Sequence, residues 1–219
     1  MLRRRAVSIL LSAVLAAAAA PAGRAAITAP TSYPPLFDSQ ETQADTVNMF
    51  PKWEGAVKHF FDESRLADEP CTSTVFNRCH MQEWLAFLGK LRGKDPEAQL
   101  DAVNDYANKA PYITDPVNWR ISDYWASPLE FLTKNGDCED YAIAKYFSLR
   151  RLGWPASALR IVVLQDLNLR VAHAILVVYF GGHALVLDNQ IHRIVDATVI
   201  HHYRPIYSIN EQHWWLHRM

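Results

Sequence analysis

The 219 residues are 50% hydrophobic and 21% charged, a composition that excludes a disordered chain and gives one domain enough apolar material for its own core. A formal net charge of -1 offers no field to a polyanion, and no basic stripe interleaved with aromatics runs along the chain. Nucleic acid is thereby excluded as the expected partner.

In chain order, residues 1–26 read as a secretory signal peptide: Arg3, Arg4 and Arg5 precede an apolar run from Ala6 to Ala20, and small residues follow Pro21. That run is shorter than the roughly 20 apolar residues of a membrane span, with an uncleaved N-terminal anchor as the competing reading. Either reading puts the folded part outside the cytoplasm, and the expected compartment is a bacterial periplasm. Residues 27–49, with Pro30, Pro34 and Pro35, read as an extended arm.

From Pro51, the spacing of Trp53, Val57, Phe60 and Phe61 predicts a first helix. A second carries Met81, Trp84, Leu85, Leu88 and Leu91 on one face and stops at Gly93. A third follows Asp95-Pro96 with Leu100, Val103, Tyr106 and Ala107 inward, and Pro111 and Pro116 then bracket a loop. A fourth, amphipathic helix starts at Cys138, buries Ala142, Ile143, Tyr146, Phe147 and Leu149, and ends at Gly153 and Pro155. Beyond it the apolar period changes to two. Arg160 to Gln165, Val171 to Phe180, Ala184 to Asp188 and Ile191 to Asp196 are β-branched runs separated by Gly181-Gly182 and Asp188-Asn189. Helices first and a mainly antiparallel sheet afterwards is an α+β order.

The three cysteines divide unequally. Cys71 and Cys79 are near enough in sequence to pair in an oxidising compartment, although spacing alone fixes no disulfide, and no zinc motif accompanies them. Cys138 is left over, either buried or reactive. In "NGDCEDY" the turn Asn135-Gly136-Asp137 supplies an N-cap, so the sulfur sits in the first helical turn, where free N–H groups and the helix dipole favour a thiolate. Asp137, Glu139 and Asp140 oppose this by raising the thiol pKa, and something must neutralise them. They are hard oxygen ligands of the kind Ca²⁺ takes, though not spaced as an EF-hand; a solvated, dipole-complementing first turn is the plainer reading.

A nucleophilic cysteine needs a base. Of nine histidines, His173 alone interrupts an otherwise apolar strand, "RVAHAILVVYF". If Gly181 and Gly182 form a two-residue hairpin turn, Asp188 becomes the diagonal neighbour of His173 on the same face, about 7–8 Å away between Cα atoms. A three-residue turn would send it to the other face. Asp166, Asp196 and Asn189 are rival orienters of the imidazole.

"GDCEDYAIAKYFSLRRLG", followed by "LRIVVL", "HAILVV" and "LVLDN", closely resembles the bacterial transglutaminase-like cysteine proteinases, and within them the LapG-type periplasmic adhesin proteases. "VNDYAN", "PYITD", "DYWASPLEFL" and "YRPIYSIN" extend the similarity over residues 50–219. The resemblance implies a papain-like fold in its transglutaminase form, with a helical N-terminal half packed on an antiparallel sheet. It implies Cys138 as nucleophile, His173 as general base, Asp188 as its orienter, and Ca²⁺ dependence through Asp137, Glu139 and Asp140. It further implies cleavage of the N-terminal region of a large surface adhesin at an Ala-Ala site, releasing the biofilm, under an inner-membrane receptor that senses cyclic di-GMP. For the oxyanion hole the first donor is the Cys138 N–H, with Trp125 or Asn135 as second. A transglutaminase or amidase would use the same thiol chemistry, and a Ca²⁺-stabilised binding module would leave the three residues idle.

Overall fold

The computed structural model describes residues 27–31, 33–65 and 78–219. Residues 1–26, expected to be a signal peptide, and Cys71 lie outside the described residues. Cys79 is disulfide-bonded, whereas Cys138 is a free thiol. Among the described residues no helix is long and apolar enough to cross a membrane.

Among the described residues, six α-helices occupy Pro51–Ser64 (α1), Arg78–Leu91 (α2), Pro96–Asn108 (α3), Asp115–Asn118 (α4), Pro128–Lys134 (α5) and Cys138–Arg151 (α6). Seven strands follow or precede them: Gln40–Ala44 (β1), Leu159–Asp166 (β2), Val171–Phe180 (β3), His183–Leu187 (β4), Val195–Asp196 (β5), Tyr203–Ile209 (β6) and Trp214–Arg218 (β7). They form one sheet in the order β1-β7-β6-β2-β3-β4-β5, every neighbouring pair antiparallel. This is the expected α+β architecture, helices packed on an antiparallel sheet.

Three expectations needed correction. The segment read as an arm supplies β1, which pairs with the C-terminal strand β7, Gln40 opposite Arg218. The fourth predicted helix, α6, is not amphipathic: Glu139 through Leu149 are all buried, because α6 runs between the other helices and the sheet. Phe61, placed inward by its spacing, is 53% exposed, while Phe60 beside it stacks on Phe147 at 3.9 Å.

The strands also fail to alternate, because both sheet faces are covered. Leu159, Ile161, Leu176 and Val178 join the helical core with Trp53, Trp84 and Phe147. Val162, Leu164, Ile175 and Val177 pack on the other face against Leu36, Phe37, Ile200 and Tyr203. Strands buried on two sides read as continuous apolar runs. Three core tryptophans keep their N–H groups bonded: Trp53 to the Asn210 carbonyl, Trp84 to Ser148 Oγ and Trp154 to Gln99 Oε1, at 2.9–3.1 Å.

Ser127 ties α1 to α5, donating from Oγ to Glu63 and accepting the Glu130 N–H at 3.2 Å. Burial, with the Glu130 charge adding to it against the Ser127 hydrogen bond, pushes the Glu63 carboxyl from 4.5 up to about 7, and its buried Oε2 has no hydrogen-bond partner. A carboxyl raised in the folded state stabilises the fold below its unfolded value and loses that contribution as pH climbs through its folded value. Glu63→Gln is therefore expected to flatten the fall in melting temperature between pH 5 and 8, by about 2 kcal/mol of stability recovered at the alkaline end. Thermal melts of both proteins across that range check it.

Candidate active site

The backbone entering α6 is held in an unusual shape. Asn135 adopts φ 63° and ψ -165°, a region nearly reserved for glycine, with its carbonyl bound by Asn118 Nδ2 at 3.1 Å. Gly136 follows because nothing larger fits: a Cβ there would lie 2.0 Å from Asp140 Oδ2. That carboxylate is already committed. It accepts the Asp137 N–H on Oδ2 at 3.2 Å and the Ala126 N–H on Oδ1 at 2.7 Å, which fixes the helix start that carries Cys138.

The hairpin between β3 and β4 has the two-residue turn, with Gly181 at φ 61° and Gly182 at φ 83° and Phe180 paired with His183. Asp188 consequently falls on the His173 side, and His173 Nε2 meets Asp188 Oδ1 at 3.0 Å, both residues buried. Asp188 also accepts the Gln190 N–H at 2.9 Å and the Tyr203 hydroxyl at 2.6 Å, while its backbone carbonyl accepts Asn108 Nδ2 at 2.8 Å. Burial alone would raise this carboxyl, but the His173 hydrogen bond and charge outweigh it and hold the pKa below its ordinary value. The second imidazole nitrogen, Nδ1, stands 3.5 Å from Gln190 Nε2.

The Cys138 sulfur lies against the Ala174 N–H, on the residue that follows His173 along β3. Sulfur, imidazole and carboxylate thus come from α6, β3 and the end of β4 to one place. The rival orienters are elsewhere: Asp166 Oδ1 accepts the Asn168 and Leu169 N–H groups in the β2–β3 turn, and Asp196 binds His183 and Thr198.

Around the thiol stands a carboxylate cluster. Asp115, Asp137 and Asp140 bring oxygens within 4.8 Å of one another, as do Asp115, Asp123 and Glu139. Asp115 accepts the Tyr124 N–H on one oxygen, and Asp137 Oδ2 accepts the Asp115 N–H at 3.2 Å. Their other oxygens, Asp115 Oδ1 and Asp137 Oδ1, are buried without a partner. Burial, reinforced by mutual repulsion, pushes Asp115 up to about 6 and Glu139 up to about 8, and raises Asp137 and Asp140 as well. Burial and the Glu139 charge also push the Cys138 thiol far up; it donates to Glu139 Oε2 at 3.1 Å.

Residues 71–217 match the family described as bacterial transglutaminase-like cysteine proteinase. The chain belongs to that family. It is 34% identical to calcium-bound LapG of Legionella pneumophila, with a TM-score of 0.61 over 72% of this chain and 87% of that one. EGTA-treated Legionella pneumophila LapG gives 34% identity and a TM-score of 0.61 over 73% of this chain and 86% of that one. No curated protein sequence matches it.

This bacterial transglutaminase-like cysteine proteinase therefore has the fold its motifs implied, and it is a cysteine protease. Sequence reasoning missed Asp115 and Asp123 in the carboxylate cluster, and Tyr203 and Asn108 around Asp188. Asp115 had a signal, since an Asp-Pro pair after Thr114 opens the short helix α4. Tyr203 had none, because its contact with Asp188 depends on the sheet order β6-β2-β3-β4, which no spacing in the sequence records. Asn135, a suggested oxyanion donor, spends its N–H on the Phe131 carbonyl at 2.7 Å, and Trp125 is packed in the helical core. Tyr203→Phe deletes a donor to a buried carboxylate and is expected to slow peptide cleavage roughly tenfold, read from kcat/KM.

Proposed function

We propose that this cysteine protease is a calcium-dependent periplasmic endopeptidase in which Cys138, His173 and Asp188 form the catalytic triad. The observation that carries the reading is the buried His173–Asp188 pair at 3.0 Å, set beside a free thiol in the first turn of α6. Asp188 fixes the imidazole tautomer through Nε2 and leaves Nδ1 for the sulfur. The Cys138 thiolate attacks the scissile carbonyl, and the oxyanion develops near the free N–H groups of the α6 first turn. His173, as imidazolium, protonates the leaving amine. Water then hydrolyses the thioester with His173 as base, and the thiol is regenerated.

The residues present fit a bound Ca²⁺. Buried carboxylate oxygens without partners, clustered and mutually repelling, are the donor set a hard dication takes and no neutral environment stabilises. Asp115, Asp137, Glu139 and Asp123 would hold it, with Asp140 anchoring the backbone beneath them. When bound, Ca²⁺ would offset the negative charge that raises the Cys138 pKa. The calcium-bound form of Legionella pneumophila LapG supports this assignment.

The substrate we propose is the N-terminal region of a large surface adhesin, cut at a small-residue Ala-Ala site. Cleavage would release the adhesin and disperse the biofilm, with the periplasmic domain of a cyclic-di-GMP-sensing inner-membrane receptor restraining the enzyme. The motif resemblance supports substrate and receptor together. The reading of residues 1–26 as a signal peptide and the disulfide at Cys79 support an oxidising compartment. Incubation with an adhesin N-terminal fragment and an amine donor tests the reaction. Two cut fragments are the expected products; a cross-linked product without cuts would make the protein a transglutaminase instead.

A further inference from the structure

Lys145 is fully buried, at 0% exposure, and its Nζ has no hydrogen-bond partner. It lies on α6 seven residues after Cys138, two helical turns along the same face. α6 packs on β3 and on α3. From α3, Asn108 Nδ2 donates to the Asp188 carbonyl and Asn104 Nδ2 to the His192 carbonyl, each at 2.8 Å, so α3 holds the loop that carries Asp188. The Oδ1 atoms of both asparagines are buried and unpartnered, as Nζ is. A cationic donor and two acceptors with unmet capacity thus stand on the helices that surround one carboxylate. An apolar chain of Lys145 length would fill this space with no charge to desolvate, so packing does not account for an amine there.

The carboxylate whose charge reaches Lys145 is Asp188. The titratable groups that reach Asp188 are His173 from β3 and Tyr203 from β6, by hydrogen bonds, and Lys145 from α6, by its charge, while α3 offers the neutral Asn108. We propose that Lys145 is a positioning residue for the His173–Asp188 pair, a second cationic neighbour of Asp188 that keeps the imidazole from holding its proton too tightly. With the aspartate shared between two cations, the imidazolium is a stronger acid and releases its proton to a leaving amine more readily. Burial draws the ammonium down to about 7 against the pull of Asp188. This inference rests on the triad reading above.

The test is NMR titration of the full chain labelled at histidine, with His173 assigned by loss of its signal in His173→Gln. Lys145→Met is expected to raise the His173 midpoint by about one pH unit, since it removes a nearby positive charge. An unchanged midpoint overturns the proposal, whatever happens to the melting temperature. Should Lys145→Met fail to fold, lysine labelled at Cε in the wild type and in Asp188→Asn gives the reciprocal measurement. The Lys145 midpoint is expected to fall in Asp188→Asn, and an unmoved midpoint again overturns the proposal. Neither titration requires cleavage of any substrate, so failure of the protease reading would show separately, as absent proteolysis with the midpoint shift intact.

Discussion

Cys138→Ala is expected to remove peptide cleavage by about 10⁴-fold or more while leaving the melting temperature nearly unchanged. The sulfur is a partly exposed end group on α6, whereas the helix itself is fixed by Asp140 and by the core residues from Ala142 to Leu149. Fold and nucleophile are therefore separable. His173→Ala should cost a comparable factor, because a first-turn thiol without its base stays protonated at neutral pH. The double variant should be no slower than either single one, since groups that act as a unit lose their function together. Asp188→Asn should fall in between: it keeps the shape of the pair but not the charge that stabilises the imidazolium. Steady-state kinetics on a peptide with an Ala-Ala site, beside thermal melts, measures all four.

Removing calcium is the second large effect. At a metal concentration 100-fold above Kd, native-state binding contributes about 2.7 kcal/mol, which for a domain of this size is a shift of roughly 5–10 °C. EGTA is expected to lower the melting temperature by that amount and to abolish cleavage in the same titration. The pH dependence follows from the raised carboxyls. In the metal-free protein, Asp115 at about 6 and Glu139 at about 8 are protonated in acid and contribute stability there, which is lost as pH rises through those values. With the metal bound the same groups are ionised throughout. The gap between EGTA and calcium melts should therefore widen from pH 5.5 to 8.5. Asp137→Ala should behave as the metal-free protein does and stop responding to EGTA.

Much of the site was legible because it is local or set by a turn. Asp137, Cys138, Glu139 and Asp140 sit in one helical turn, and the glycine pair fixed the β3–β4 register that delivers Asp188 to His173. The strands β6 and β7 and the short helices α4 and α5 were not read from periodicity. Tyr203–Ile209 carries Pro205 and a register shift against β2, which spoils a period of two. Buried on two faces, β2 and β3 showed apolar runs without saying which side met the helices. Asp115 and Asp123 escaped because they approach Glu139 through the fold of the loop between α3 and α5, a relation no spacing records. Lys145 carried no signal in the sequence, and only the central placement of α6 makes it a buried charge.

Iodoacetamide labelling of Cys138 at pH 6, with calcium present and followed by intact mass, puts the shared action of sulfur and imidazole to the most direct trial. Rapid single-site modification is expected in the wild type, with the rate collapsing in His173→Ala and after EGTA. Labelling that is equally slow in all three, and fast only after denaturation, would mean that Cys138 is a buried structural thiol.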